Sequence, residues 1–215
     1  MAKAVVQVDS ATRRHLLAAA AKCFARHGYA ATSVQEIVRA ARVSKPVLYY
    51  YFKDKADLFR VLVHDVHDER YRLMQRAAER GRTVAEKLEE ILTAIFQYSI
   101  RNQPLMRLAF ATAFAATDEV PARTDCAERG RRNFDFIRDL VEVGQADGEL
   151  DAGFPAAELA MGIYSQLNTY VMVRLLVPDC PLNRESARQI VRLFLEGAAG
   201  SSRLPRPQPI SKQNV

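Results

Sequence analysis

Apolar residues recur at intervals of three and four along nearly the whole chain, and the runs are separated by Gly, Pro, Asn and Asp with no sign of strand-like alternation. The first run predicts a helix over about residues 10–27. Leu16, Leu17, Ala20 and Phe24 share one face, Arg13, Arg14 and Arg26 lie off it, and Gly28 follows as a left-handed terminator. Ser33 and Glu36 have the spacing of a capping box, so a second helix opens there and buries Val34, Ile37, Val38 and Ala41. Arg42 and Val43 form a turn. Ser44 is expected to cap a short third helix, with Lys45 and Pro46 in its first turn, where a proline removes no intrahelical hydrogen bond. Leu48 and Phe52 return to the core. Asp54 opens a fourth helix, expected to run to about Arg80, with Leu58, Phe59, Leu62 and Val66 buried.

Five more helices are expected, over about residues 84–102, 104–115, 121–146, 155–176 and 184–198, three of them starting at Pro104, Pro121 and Pro155. Residues 201–215 carry three prolines and no periodicity, which predicts a disordered tail. The fold class is therefore all-α, with about nine helices. The expected division is a small domain over residues 1–54, a larger helical one over 55–200, and the tail.

Two short helices joined by a tight turn suit the major groove of DNA, which is wide enough for one helix. The third helix would offer that groove its N-terminal N–H groups and positive dipole. Lys45 can reach a guanine or a phosphate, and Pro46 and Val47 can touch a thymine methyl. Tyr49, Tyr50 and Tyr51 occupy successive positions 100° apart, so at least one phenol faces outward, where it can bond a phosphate. Lys53 and Lys55 follow as candidate backbone clamps. Thr32 and Ser33, at the start of the second helix, are placed to bind phosphate from the other side of the groove.

Charge sharpens this picture. The first sixty residues hold 11 Lys and Arg against 4 Asp and Glu, whereas the remainder holds 20 against 21. All of the excess positive charge thus lies at the end that carries the paired short helices, as a polyanion-binding end requires. Three scattered cysteines, Cys23, Cys126 and Cys180, make neither a disulfide framework nor a zinc pattern. The N-terminus lacks a secretory signal and no run is long enough to span a bilayer, so the expected location is the cytoplasm, with no membrane partner. His64, His67 and Asp68 have a spacing that can hold a metal, but charged neighbours mark a solvated face, and no metal is expected. No nucleophile elbow, Gly-rich phosphate loop or H-E-x-x-H motif occurs, so neither enzymatic activity nor a cofactor is expected.

The segment from Arg13-Arg14 through Leu16-Leu17-Ala18-Ala19-Ala20, Phe24-Ala25-Arg26-His27-Gly28-Tyr29, Thr32-Ser33-Val34, Ile37, Val43-Ser44-Lys45 and Leu48-Tyr49-Tyr50-Tyr51-Phe52-Lys53-Asp54-Lys55 resembles the TetR family signature. The resemblance implies a three-helix DNA-binding domain joined by a fourth helix to a larger domain that binds a small molecule and dimerises through its last two long helices. It implies DNA contacts at Thr32, Ser33, Gln35, Lys45, Pro46, Val47, Tyr49, Tyr50, Tyr51 and Lys55. Arg42 departs from the pattern, standing in the turn where the family usually has Gly. The implied partners are a palindromic double-stranded operator, a small-molecule effector and a second copy of the chain.

The helix expected over residues 155–176 is apolar on more than one face, more than one intramolecular contact needs. Leu159, Ile163, Tyr170 and Val173, with Ile190 and Phe194 of the next helix, are the candidate dimer surface. Aromatic residues and Met concentrate further upstream, and Phe96, Met106, Phe110, Phe114, Phe134 and Tyr164 are the candidate lining of a pocket for an apolar or amphipathic effector.

Overall fold

Side-chain caps fix where four of the helices begin. In the computed structural model, which describes residues 2–115, 120–121 and 126–197, Ser33, Asp54, Thr83 and Asn183 each accept a backbone N–H three residues on, from Glu36, Asp57, Glu86 and Ser186. The described residues form nine helices and no strand: α1 (Ala2–Ala31), α2 (Val34–Ala41), α3 (Lys45–Tyr51), α4 (Lys55–Ala78), α5 (Val84–Arg101), α6 (Gln103–Phe114), α7 (Cys126–Ala146), α8 (Ala156–Leu176) and α9 (Arg184–Glu196). The all-α expectation holds.

Three local expectations need correction. Helix α1 begins at Ala2, well before Ser10. Gly28 does break its path at positive φ, but with φ 77° and ψ 171° it is extended, not left-handed helical, and the chain resumes a last turn to Ala31. Ser44 holds the extended N-cap conformation, yet its hydroxyl makes no capping bond; α3 is started by the Leu48 N–H donating to the Ser44 carbonyl. The start expected at Pro121 and the tail over 201–215 fall largely or wholly outside the described residues.

Two hydrophobic cores result. The first joins α1, α2 and α3 with the beginning of α4, through Leu16, Phe24, Ile37, Leu48, Phe52, Phe59 and Val63, and it includes Leu108 from α6. The second starts at Val66 and gathers the rest of α4 with α5, α7, α8 and α9. The two cores therefore meet inside α4, between Val63 and Val66.

Polar contacts tie α4 to the second domain. Asp68 accepts hydrogen bonds from Arg129 and Arg132 of α7, and Arg132 lies over the Tyr71 ring at 4.4 Å. Arg70 donates to Asn168 of α8 at 2.8 Å. The turn after α7 returns to α5: Glu149 accepts the Val84 N–H at 2.6 Å. Gly144 lets α7 approach there, since a Cβ on it would stand 2.5 Å from the Val84 side chain.

Candidate nucleic-acid interface and effector domain

Helix α2 is closed at both ends by local chemistry. The Ser33 hydroxyl accepts the Glu36 N–H at 3.2 Å, and Glu36 accepts the Ser33 N–H at 2.7 Å. These bonds hold the Glu36 carboxyl below its ordinary range. At the other end Arg42 takes φ 52° and ψ 42°, the one non-glycine residue at positive φ among those described. It swings the chain into α3 while the Val43 N–H donates back to Val38.

Helix α3 has two characters. Leu48 and Phe52, four residues apart, are buried. Lys45 and Tyr49 share a second face, and Pro46 and Tyr50 a third, by the same four-residue spacing, and all four are exposed. Tyr50 is 74% exposed and Tyr49 50%, far more than core tyrosines show. Tyr51 is half-buried and meets the Tyr50 ring edge-on at 4.9 Å. Val47 is half-buried too, and Gln35 on α2 is exposed. None of Arg39, Arg42, Lys45 and Lys53 forms an ion pair with the described residues.

Three residues expected on phosphates have work inside the protein. Thr32 is 1% exposed, and its hydroxyl donates to the Gly28 carbonyl at 2.7 Å and the Cys23 carbonyl at 3.3 Å. Its single proton is committed to the end of α1. Ser33 has both its hydroxyl and its N–H in the capping box. Lys55 points inward: its ammonium donates to the carbonyls of Tyr29 and Thr32, both at 2.9 Å, and lies 4.3 Å from the Tyr29 ring centroid. It closes the last carbonyls of α1, a role hidden in sequence because the partners lie 23 and 26 residues away. Arg13 is a further residue that sequence reasoning passed over, and it sits over the Phe52 ring at 5.6 Å.

In the second domain the expected pocket lining divides. Phe96 and Met106 are wholly buried core residues, since α5 and α6 turn those positions inward. Phe110 is half-buried against the same core, and the Phe114 side chain lies outside the described residues. Phe134 and Tyr164 meet edge-on at 5.9 Å and line a recess of about 540 Å³ between α7 and α8, together with Arg131, Arg138 and Met161. A second recess of about 340 Å³, unforeseen in sequence, lies where α1, α4 and α6 converge and is lined by Phe24, Tyr29, Phe59, Leu108 and Thr112.

The expected dimer surface divides in the same way. Ile163 and Ile190 are 1% exposed and belong to the chain's own core, so they cannot meet a partner. Leu159, Val173 and Phe194 are half-buried, and Tyr170 is exposed and stacks on Phe96 at 6.4 Å. The exposed side of α8 instead carries Met161, Ser165, Thr169, Met172 and Leu176. No cluster of three metal-ligating side chains occurs among the described residues, and no described helix is long and apolar enough to cross a membrane.

Residues 16–62 match the family model of bacterial regulatory proteins, tetR family. Over 59 residues the chain is 42% identical to the HTH-type transcriptional regulator AcrR of Shigella flexneri, a match that spans 27% of either chain. A longer match, 26% identical over 164 residues, covers 76% of this chain and 80% of the HTH-type transcriptional repressor SCO4008 of Streptomyces coelicolor. In fold, the chain is similar to the transcriptional regulator FadR of Bacillus subtilis in complex with stearoyl-CoA. The TM-score is 0.73 at 18% identity, over 86% of this chain and 99% of that one.

Proposed function

We propose that the chain, whose residues 16–62 match the tetR family model, is a TetR-like repressor that binds a palindromic operator as a homodimer and is released by an apolar or amphipathic small molecule. The observation that carries this reading is the outward face of α3. Two largely exposed tyrosines, beside exposed Lys45 and Pro46 and a set of cations without ion pairs among the described residues, contribute nothing to the core. Lys45 reads a base edge; Tyr49 and Tyr50 bond phosphates; Gln35, Arg42 and Lys53 flank them.

The exposed stripe of α8 supports self-association. Met161, Ser165, Thr169, Met172 and Leu176 recur at four, four, three and four residues and include no charge, the pattern of a helix that packs on another helix. A second copy on this stripe sets two recognition helices about one turn of DNA apart, near 34 Å. The stearoyl-CoA bound to that FadR supports an amphipathic effector. Bound in the second domain, such a molecule acts on DNA affinity only through a difference in its own affinity for the two states, with α4 as the shared element.

Selection of genomic fragments by the purified protein at about 150 mM salt tests the reading, because non-specific phosphate attraction is weak there. Enrichment of one inverted repeat is expected. Binding with no enriched sequence, abolished by added salt, refutes it.

A further inference from the structure

One charge stands where the pattern of α4 calls for an apolar side chain. Val66, Arg70 and Met74 are spaced by four and so share one face of the helix, and Val66 and Met74 are completely buried. Arg70 is 6% exposed. Its Nη2 donates to the Asn168 side chain at 2.8 Å, and the Asn168 amide is itself held by donating to the Tyr164 carbonyl at 2.9 Å. The Arg70 Nε has no partner among the described residues, and no ion pair among them reaches this guanidinium.

Two acids beside Arg70 are held by other arginines. Asp68 takes Arg129 and Arg132, and Glu69 takes Arg72 and Arg76. Asp65 is exposed and forms no ion pair among the described residues; burial and Asp68 raise its carboxyl against the pull of Arg13, Arg72 and His64. More polar atoms lack partners on the same helix and on α7: His67 Nδ1 and Asn133 Oδ1 are buried and unbonded, Asn133 being fully enclosed. A buried cation without a counter-charge loses its hydration and recovers little from a neutral amide. A guanidinium is also the side chain best matched in shape and hydrogen bonding to an oxyanion.

We propose that Arg70, steadied by Asn168, is the anchor for the anionic oxygen head of the effector, so that the effector is an acid with an apolar body and not a neutral or cationic compound. The inference rests on the reading of the second domain as the effector-binding one. The bound oxyanion replaces the missing counter-charge, and the apolar body stays among the helices of the second core. This ties effector binding directly to α4.

Three ten-carbon probes test it by calorimetry and by helical melting followed at 222 nm. They are decanoate, decyl phosphate and decanol, which share an apolar tail and differ in the head. The wild-type chain is expected to bind at least one of the two anions about tenfold more tightly than decanol. Which of the two is preferred tells a carboxylate from a phosphate head. Arg70→Met is expected to erase that preference and to raise the melting temperature of the effector-free protein, since it removes an unpaired buried charge. Equal binding of anion and alcohol by the wild type, or binding of neither anion, overturns the proposal. So does a lower melting temperature for Arg70→Met, the mark of a purely structural arginine. An Arg70→Met chain that does not fold is the extreme of that lowered stability and overturns the proposal too. Operator selection separates the two readings: an enriched repeat with no preference for anions leaves the regulator standing and removes only this inference.

Discussion

The ammonium of Lys55, at the first turn of α4, donates to the backbone carbonyl of Tyr29 at 2.9 Å while lying 4.3 Å above the centre of the same residue's ring. One cation thus closes the end of α1 twice over, by hydrogen bond and by ring quadrupole. Lys55→Met keeps the aliphatic stem and removes the charge. The expected loss is about 1–2 kcal/mol of stability, read from the urea midpoint, with the salt dependence of DNA binding little changed. An unchanged midpoint with a salt slope smaller by about one would return Lys55 to the phosphates.

On α3 the expected effects separate by face. Lys45→Ala should relax preference at particular base pairs, by about 1–3 kcal/mol for a bidentate contact. Tyr49→Ala and Tyr50→Ala should weaken binding to all sequences alike. Binding arrays with single base changes in the operator distinguish the two, and equal profiles for all three variants contradict the assignment.

Arg42 is held at φ 52° with its side chain exposed. Arg42→Gly relieves left-handed strain but loosens the unfolded chain, so the net gain should be about 0.5–1 kcal/mol in the urea midpoint. If Arg42 also touches phosphate, the same variant binds DNA more weakly while being more stable.

Burial, reinforced by Arg70 and Arg129, pushes His67 down to about 4 from 6.5. The neutral ring is the folded form, so the unfolded chain takes up its proton first as pH falls. Stability is then full above about pH 6.5 and drops between there and about pH 4, by at most about 3 kcal/mol. His67→Gln should flatten this part of the profile in denaturant titrations across the range. A profile identical to wild type would refute the assignment to His67.

Helix α8 offers a paired test. Met172→Asp places a charge on the exposed stripe and should yield folded monomers in sedimentation, with operator affinity lost. Ile163→Asp places the same charge in the core and should unfold the domain. Met172→Asp that still sediments as a dimer shows that the copies meet elsewhere.

Much of this was legible in the sequence because it is local. The Ser33–Glu36 box, the αL residue at Arg42 and the alternation of Leu48 and Phe52 with exposed tyrosines depend on neighbours three or four residues away. What stayed hidden is set by distance. Thr32 and Lys55 look like phosphate ligands until the end of α1 folds against them. Ile163 and Met161 belong to one apolar helix, and only packing against α5, α7 and α9 shows which looks inward. Phe96 and Met106 are pocket-like by type and core by position.

The meeting of the two cores within α4 has a practical corollary for building chimeric regulators. The reading head does not end at residue 54: Leu58, Phe59, Leu62 and Val63 travel with it, and the uninterrupted helix offers no glycine or proline at which to cut. A transplant of this head onto another body should be spliced after Val63, in phase with the recipient helix. The recipient must also supply a leucine where Leu108 of α6 reaches across the seam. A graft made at the customary end of the motif would leave the head without the floor of its own core.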